Sequence, residues 1–240
     1  MVADNVQLRC ALRHILWLGG APDAGKTSIA RLLAERHHLQ VYHLDAAESG
    51  HVARLDPTRH PAMRGWAAMT TDERWVLRPP EAIAQHTVAF GVERFALVIE
   101  DLLALPKAPP ILAEGPWLFP DLVAPLLSSP RQALWLNPTE VFKRASAARR
   151  GKPSSRGEAS DPERMVRHWF ARDLMLAAYI GRRATERGLT LIEVDGVKSL
   201  DAMAAVVEAH FALPLSATPC VGDRWAVPSS AAARHRQVEE

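Results

Sequence analysis

Cysteine and tyrosine are scarce: the 240-residue chain holds two of each. Cys10 and Cys220 lie far apart with no metal-ligand spacing, which points to free thiols rather than a disulfide framework or a zinc site. The ten histidines are scattered with no H-x-x-x-H pair and no cysteine partner, which also argues against zinc. Apolar runs of membrane-spanning length are missing, so no membrane partner is expected. A net excess of charge is missing as well: 29 basic against 27 acidic residues leave +2, and composition does not point to nucleic acid. Residues 1–13 carry Asp4, Arg9 and Arg13 and have no signal-peptide h-region, so a cytoplasmic location is expected. With 48% hydrophobic residues, the chain has the material for one sizeable core.

What is present is concentrated in residues 14–27, His-Ile-Leu-Trp-Leu-Gly-Gly-Ala-Pro-Asp-Ala-Gly-Lys-Thr. The apolar run Ile15–Leu18 reads as a buried strand. From Gly20 the spacing is G-x-x-x-x-G-K-T, the pattern of a phosphate-binding loop. Glycines let such a loop turn its N–H groups inward around phosphate oxygens. Gly20, Ala21, Pro22, Asp23, Ala24, Gly25, Lys26, Thr27 and Ser28 are therefore expected to contact a nucleotide, with Lys26 on the β- and γ-phosphates and the Thr27 hydroxyl on Mg²⁺. A helix follows from Lys26 to His37, with Ile29, Leu32 and Leu33 on one face, so its N-terminus points at the anion.

Further apolar runs, Val41–Leu44, Ile111–Ala113, Ala133–Leu136 and Leu191–Val194, alternate with helical patterns, as in βα units with a parallel sheet. Helices are expected over 80–103 and 120–127. Asn137-Pro138-Thr139-Glu140 reads as an N-cap with proline at the first helical position, opening a helix to Arg149. Asp161-Pro162 opens another to Arg187, and Ser199 caps the last, to Phe211. Phe95–Asp101 reads either as helix or as a strand ending in two acids; helix is preferred, because the apolar pattern continues through Leu105 and a right-handed crossover requires one. On that reading Glu100 and Asp101 are a solvated face. Residues 46–79, the basic stretch 150–160 and the tail 214–240, in which Trp225 is the one docking candidate, read as irregular.

Together these features resemble the nucleotide-kinase-like branch of P-loop proteins, which includes adenylate kinase, shikimate kinase, gluconate kinase and chloramphenicol phosphotransferase. The resemblance spans residues 12–212, and the Gly20–Thr27 motif is its specific part. It implies an α/β, three-layer P-loop NTPase fold with a five-stranded parallel sheet in the order 2-3-1-4-5 and helices on both faces. It implies a domain over 1–213, with 46–79 as the acceptor-binding insertion and 144–164 as an arginine-bearing lid. It also implies ATP and Mg²⁺ as donor and cofactor and a small-molecule acceptor, in a monomer or homodimer.

Candidate residues follow. Asp45 ends the second strand, where ligands bind in open α/β sheets, and a carboxylate there orients or deprotonates an acceptor hydroxyl. Glu114 ends the third strand and is a candidate for a Mg²⁺-bound water or for the acceptor, with Gly115 allowing close approach to backbone. Arg144, Arg149 and Arg164 are expected to stabilise transferring phosphate, ahead of Arg172; Arg150, Lys152, Arg156 and Arg167 add to the local basic excess. His51, Arg54 and Trp66 are acceptor candidates, with Arg59, His60 and Trp75 beside them. His37 and His38 suit a helix C-terminus. The reading is an ATP-dependent kinase acting on a nucleoside, sugar acid or antibiotic-like alcohol. The alternatives are a nucleotide-binding regulatory ATPase and a polynucleotide-end or nucleotide-sugar kinase.

Overall fold

The structure is a computed structural model that describes residues 2–153 and 157–213. The tail with Trp225 and Cys220, and Arg156 in the basic stretch, lie outside the described residues. A helix α1 (Val2–Ala11), not expected from the sequence, precedes strand β1 (Ile15–Gly20). Then come α2 (Lys26–His37), β2 (Gln40–His43), three short helices α3 (Glu48–Val52), α4 (Pro61–Ala68) and α5 (Thr71–Trp75), and the long α6 (Pro80–Ala104). The second half runs β3 (Ile111–Glu114), α7 (Pro120–Val123), β4 (Ala133–Pro138), α8 (Glu140–Arg149), α9 (Pro162–Glu186), β5 (Thr190–Val194) and α10 (Leu200–Phe211). All strand pairings are parallel, in the order β2-β3-β1-β4-β5.

Burial follows that order. β3 and β4 are buried throughout and β1 nearly so, whereas β2 and β5, at the edges, are partly exposed. The two-residue side-chain period divides the core between the sheet's faces. Ile15, Trp17, Ala113 and Trp135 pack with Val98 and Leu102 of α6, Phe119, and Ile180 of α9. Leu18, Leu112, Leu134 and Leu136 pack with Ile29 and Leu33 of α2 and Met203 and Val207 of α10. Helices thus cover both faces, and the ends of β1, β2 and β3 open at one edge.

Several expectations are corrected. Residues 46–79 hold three helices rather than an irregular segment; Thr70 and Glu73 form a reciprocal capping box that starts α5. Asn137 is not a cap. Its side chain accepts from the Ala21 N–H at 3.2 Å and donates to the Ala177 carbonyl at 2.7 Å, so it belongs to β4, which runs on through Pro138. Thr139 caps α8 instead, its hydroxyl accepting from the Phe142 N–H at 3.2 Å. Asp161 and Ser199 cap α9 and α10 as expected. Residues 95–101 lie within α6, so the strand alternative falls. Asp101 is nevertheless not a solvated face: it accepts from Tyr42 at 2.6 Å, from His51 at 2.9 Å and from Arg54 at 2.6 Å.

That cluster anchors the insertion. Arg94 of α6 is fully enclosed; its Nε donates to His51 Nδ1 at 2.9 Å, its Nη1 to Glu48 at 3.1 Å and its Nη2 to the Leu44 carbonyl. Because Nδ1 of His51 accepts, Nε2 carries the proton and donates to Asp101, so the ring is neutral. Burial, first of all, holds the His51 pKa below its ordinary value, with the Arg94 charge adding to it against the Asp101 bond. Replacing Arg94 with leucine strips the partners from His51, Glu48 and the Leu44 carbonyl at once. Arg94→Leu is expected to lose about 3–5 kcal/mol, read from urea unfolding; a loss under about 1 kcal/mol would show the cluster to be dispensable.

Candidate functional site

Gly20 ends β1 with φ +126°, and a Cβ there would sit 2.0 Å from the Leu136 carbonyl oxygen, so only glycine fits. The chain then turns through Asp23 (φ 67°) and Gly25 (φ 83°) into α2. Left-handed residues within such a turn bring successive N–H groups to one side, which suits an anion at the start of the helix. Lys26, 6% exposed, donates to the Ala21 carbonyl at 2.7 Å.

A cavity of about 140 Å³ opens over this loop. Residues 22–28 line it together with Asp45, Glu114, Pro116, Arg150 and Lys152. The structure thus brings together the loop, Asp45 and Glu114, from the ends of three different strands' connections. Asp45 lies just past β2 and is exposed. Glu114 is buried at the end of β3; one carboxylate oxygen accepts from the Thr27 hydroxyl at 3.0 Å and meets His43 Nδ1 at 2.7 Å. With its proton held by Glu114, the Thr27 oxygen keeps lone pairs for a hard cation, and the donor set is all oxygen, as Mg²⁺ prefers. Gly115 serves packing rather than ligand approach: a Cβ there would lie 2.6 Å from the Leu44 Cβ.

Behind the loop lies a buried network that the sequence did not reveal. Lys143 of α8, 1% exposed, donates to Asp23 at 2.9 Å and to Asp173 of α9 at 2.5 Å, and its ammonium sits 4.2 Å from the Trp169 ring centroid. Arg150 (2.9 Å) and Lys152 (3.5 Å) reach the other Asp23 oxygen from the solvent side. Burial pushes the Asp23 pKa up, but the Lys143 bond and the charges of Lys143, Lys152 and Arg150 outweigh it, and the carboxyl stays below its ordinary value.

The other predicted residues divide. Arg149 lines a second cavity, about 550 Å³, with Ala24, Gly25, Ser28, Phe142, Gly196 and Lys198. Arg144 is exposed and paired with Glu140 at 2.7 Å, its guanidinium 4.6 Å from the Phe170 ring centroid; Arg164 is exposed, and neither lines a cavity described here. His51 is enclosed in the Arg94 cluster, and Arg54 pairs with Asp101 and Glu100. Arg59 pairs with Glu100, and His60 is buried with Nδ1 accepting from the Asp56 N–H. His37 pairs with Glu208, and His38 is the left-handed C-cap of α2. Trp66 and Trp75, by contrast, line a third cavity, about 190 Å³, with Glu48, Thr87, Phe90, Trp117 and Arg172. Arg172, ranked last among the arginines, is thus the one buried at a cavity wall. No cluster of three or more His, Cys, Asp or Glu side chains suited to a metal occurs among the described residues, and none of their helices is long and apolar enough to cross a membrane.

No protein-family model matches this chain, and no curated protein matches it. Among solved structures, an uncharacterized protein from Eubacterium ventriosum ATCC 27560 is similar at 14% identity and a TM-score of 0.40, over 82% of this chain and 97% of that one.

Burial lowers the Lys26 pKa to about 8, against the opposing charges of Glu114, Asp45 and Asp23. An unfolded lysine keeps its proton to about 10.4. Between these values the unfolded state binds more protons, so stability attributable to Lys26 rises with pH there, and below pH 8 the buried charge is a constant cost. Set against Lys26→Met, the wild-type protein should gain up to about 3 kcal/mol of relative stability between pH 8 and 10.4. Chemical denaturation of both proteins across that range measures it, and a flat difference would mean that Lys26 titrates normally.

Proposed function

We propose that the protein is an ATP-dependent kinase with a P-loop NTPase fold, transferring the γ-phosphoryl group to a hydroxyl of a small molecule. The observation that carries this reading is the convergence of Lys26, Thr27, Asp45 and Glu114 on one cavity at the carboxyl edge of a parallel sheet. The loop amides and Lys26 hold the β- and γ-phosphates. The larger cavity beside Gly25 and Ser28, lined also by Phe142 and Gly196, has room for base and ribose, with Arg149 at its wall. Magnesium, when held by the Thr27 hydroxyl and through water by Glu114, neutralises phosphate charge.

Asp45 accepts the proton of the acceptor hydroxyl as its oxygen bonds to the γ-phosphorus, the bond from that phosphorus to the β–γ bridging oxygen breaks, and ADP departs. Arg150 and Lys152, which now rest on Asp23, lie on the cavity wall where the transferring oxygens gather charge. The stretch 144–164 acts as the lid of this site, and 46–79 as its acceptor side.

The test is ADP release with Mg·ATP over a panel of hydroxylated small molecules, with product phosphorylation read by mass. Lys26→Ala should lower the acceptor-stimulated rate by about 10²-fold or more while circular dichroism stays that of the wild type. Asp45→Asn should lower kcat by about 10²–10⁴-fold and leave ATP affinity within about twofold. ADP release that no acceptor stimulates would overturn the transferase reading in favour of an ATPase.

A further inference from the structure

The third cavity carries information about the acceptor that the loop does not. Its walls are Trp66, Trp75, Phe90 and Trp117, from α4, α5, α6 and the turn after β3. Trp66 and Trp75 meet edge to face at 5.4 Å, and Phe90 and Trp117 are tilted at 5.8 Å. Flat aromatic walls of this kind suit a planar ring through stacked or edge contacts. At about 190 Å³ the space is close to that of an apolar cavity known to hold one benzene ring, about 150 Å³. A sugar chain or a large polycyclic compound exceeds it.

One wall is charged. Arg172 is 6% exposed, and its guanidinium lies 4.7 Å from the Trp75 ring centroid. Its Nε is 2.6 Å from Asp173 but without hydrogen-bond alignment, and Asp173 gives its other oxygen to Lys143. Among the described residues no acceptor takes a hydrogen bond from the Arg172 guanidinium. Its Nε is ion-paired with Asp173, and its two terminal nitrogens, held by stacking on Trp75, keep donors that suit a carboxylate in geometry and charge. The cavity also adjoins the transfer site. Glu48 of its lining is three residues past Asp45, and Trp117 follows Pro116 of the loop cavity.

We infer that the acceptor is a small aromatic carboxylate: one planar ring between Trp66, Trp75, Phe90 and Trp117, its carboxylate on Arg172 and its hydroxyl directed past Glu48 toward Asp45. Binding at the cavity stands on its own geometry; only the transfer to the hydroxyl rests on the kinase reading.

Calorimetric titration of the full chain without nucleotide, using 4-(hydroxymethyl)benzoate, tests it. Two comparison probes change one property each: 1,4-benzenedimethanol lacks the charge, and trans-4-(hydroxymethyl)cyclohexanecarboxylate lacks the planar ring. The benzoate should bind at least about tenfold tighter than the neutral diol and about threefold or more tighter than the cyclohexane acid. Arg172→Gln should remove the preference for the carboxylate. Arg172→Lys, which keeps the charge and loses the fork, should reduce it and serves if the glutamine variant does not fold. Trp117→Leu should remove the preference for the planar ring. Equal binding of all three probes, no binding of the benzoate, or an undiminished carboxylate preference in both Arg172 variants would overturn the assignment. With Mg·ATP added, a benzoate that binds while neither it nor any compound of the panel is phosphorylated sinks the kinase reading and leaves the cavity assignment standing. Phosphorylation of a polyol that the Trp117 and Arg172 variants handle as the wild type does would do the reverse.

Discussion

One buried ammonium, that of Lys143, sets the conditions for the rest of the site. It joins Asp23 in the glycine-rich loop to Asp173 in α9 from its own place in α8, and almost no water reaches it. Two carboxylates with one ammonium between them carry a net negative charge in a region that solvates charge poorly. The structure therefore needs further cations at the same spot, and it supplies them: Arg172 beside Asp173, Arg150 and Lys152 on Asp23. Removing one member of such a network leaves the others buried and uncompensated, which is more damaging than never having built it. The loop is thus held by Lys143, 120 residues later in the chain.

This network also resolves an apparent contradiction in the loop. A carboxylate at Asp23 opposes the binding of any anion at the loop. Its charge is balanced by Lys143 on one oxygen and by Arg150 and Lys152 on the other. The cavity is lined by Lys26 and the two outer cations together with Asp23, Asp45 and Glu114. The outer pair are about half exposed and bound to Asp23 at the surface, where ion pairs are weak. They can be drawn to a stronger anion without disturbing the Lys143 bond behind them.

Much of the fold was legible because it depends on local pattern. Each apolar run falls on a strand, since five short hydrophobic stretches between helical patterns have few arrangements. The loop was legible because glycine spacing encodes backbone conformation directly, as Gly20 and Gly25 confirm. Asp45 and Glu114 were picked from strand ends alone, and both line the loop cavity. Asn137 was misplaced because asparagine before proline is a cap signal, while its actual partners, Ala21 and Ala177, are distant in sequence. His51 and Asp101 were misjudged for the same reason: the histidine's enclosure depends on Arg94, 43 residues away. The roles of Lys143, Asp173 and Arg172 are invisible in sequence, where a lysine and arginines in a basic stretch look like a solvated face. Only the packing of α8 and α9 against the loop removes them from water.

The position of Arg172 connects the two halves of the site. Its neighbour Asp173 points back to Lys143 and the loop, while its guanidinium lines the aromatic cavity over Trp75. Adjacent residues on α9 thus serve opposite sides of one wall. A shift of α9 that improved the fit of a ligand to Arg172 would move Asp173 against Lys143, and so act on Asp23. Because interiors pack at crystal-like density, such a displacement is passed on rather than absorbed. The Lys143 bridge and the aromatic cavity thus share one helix, α9.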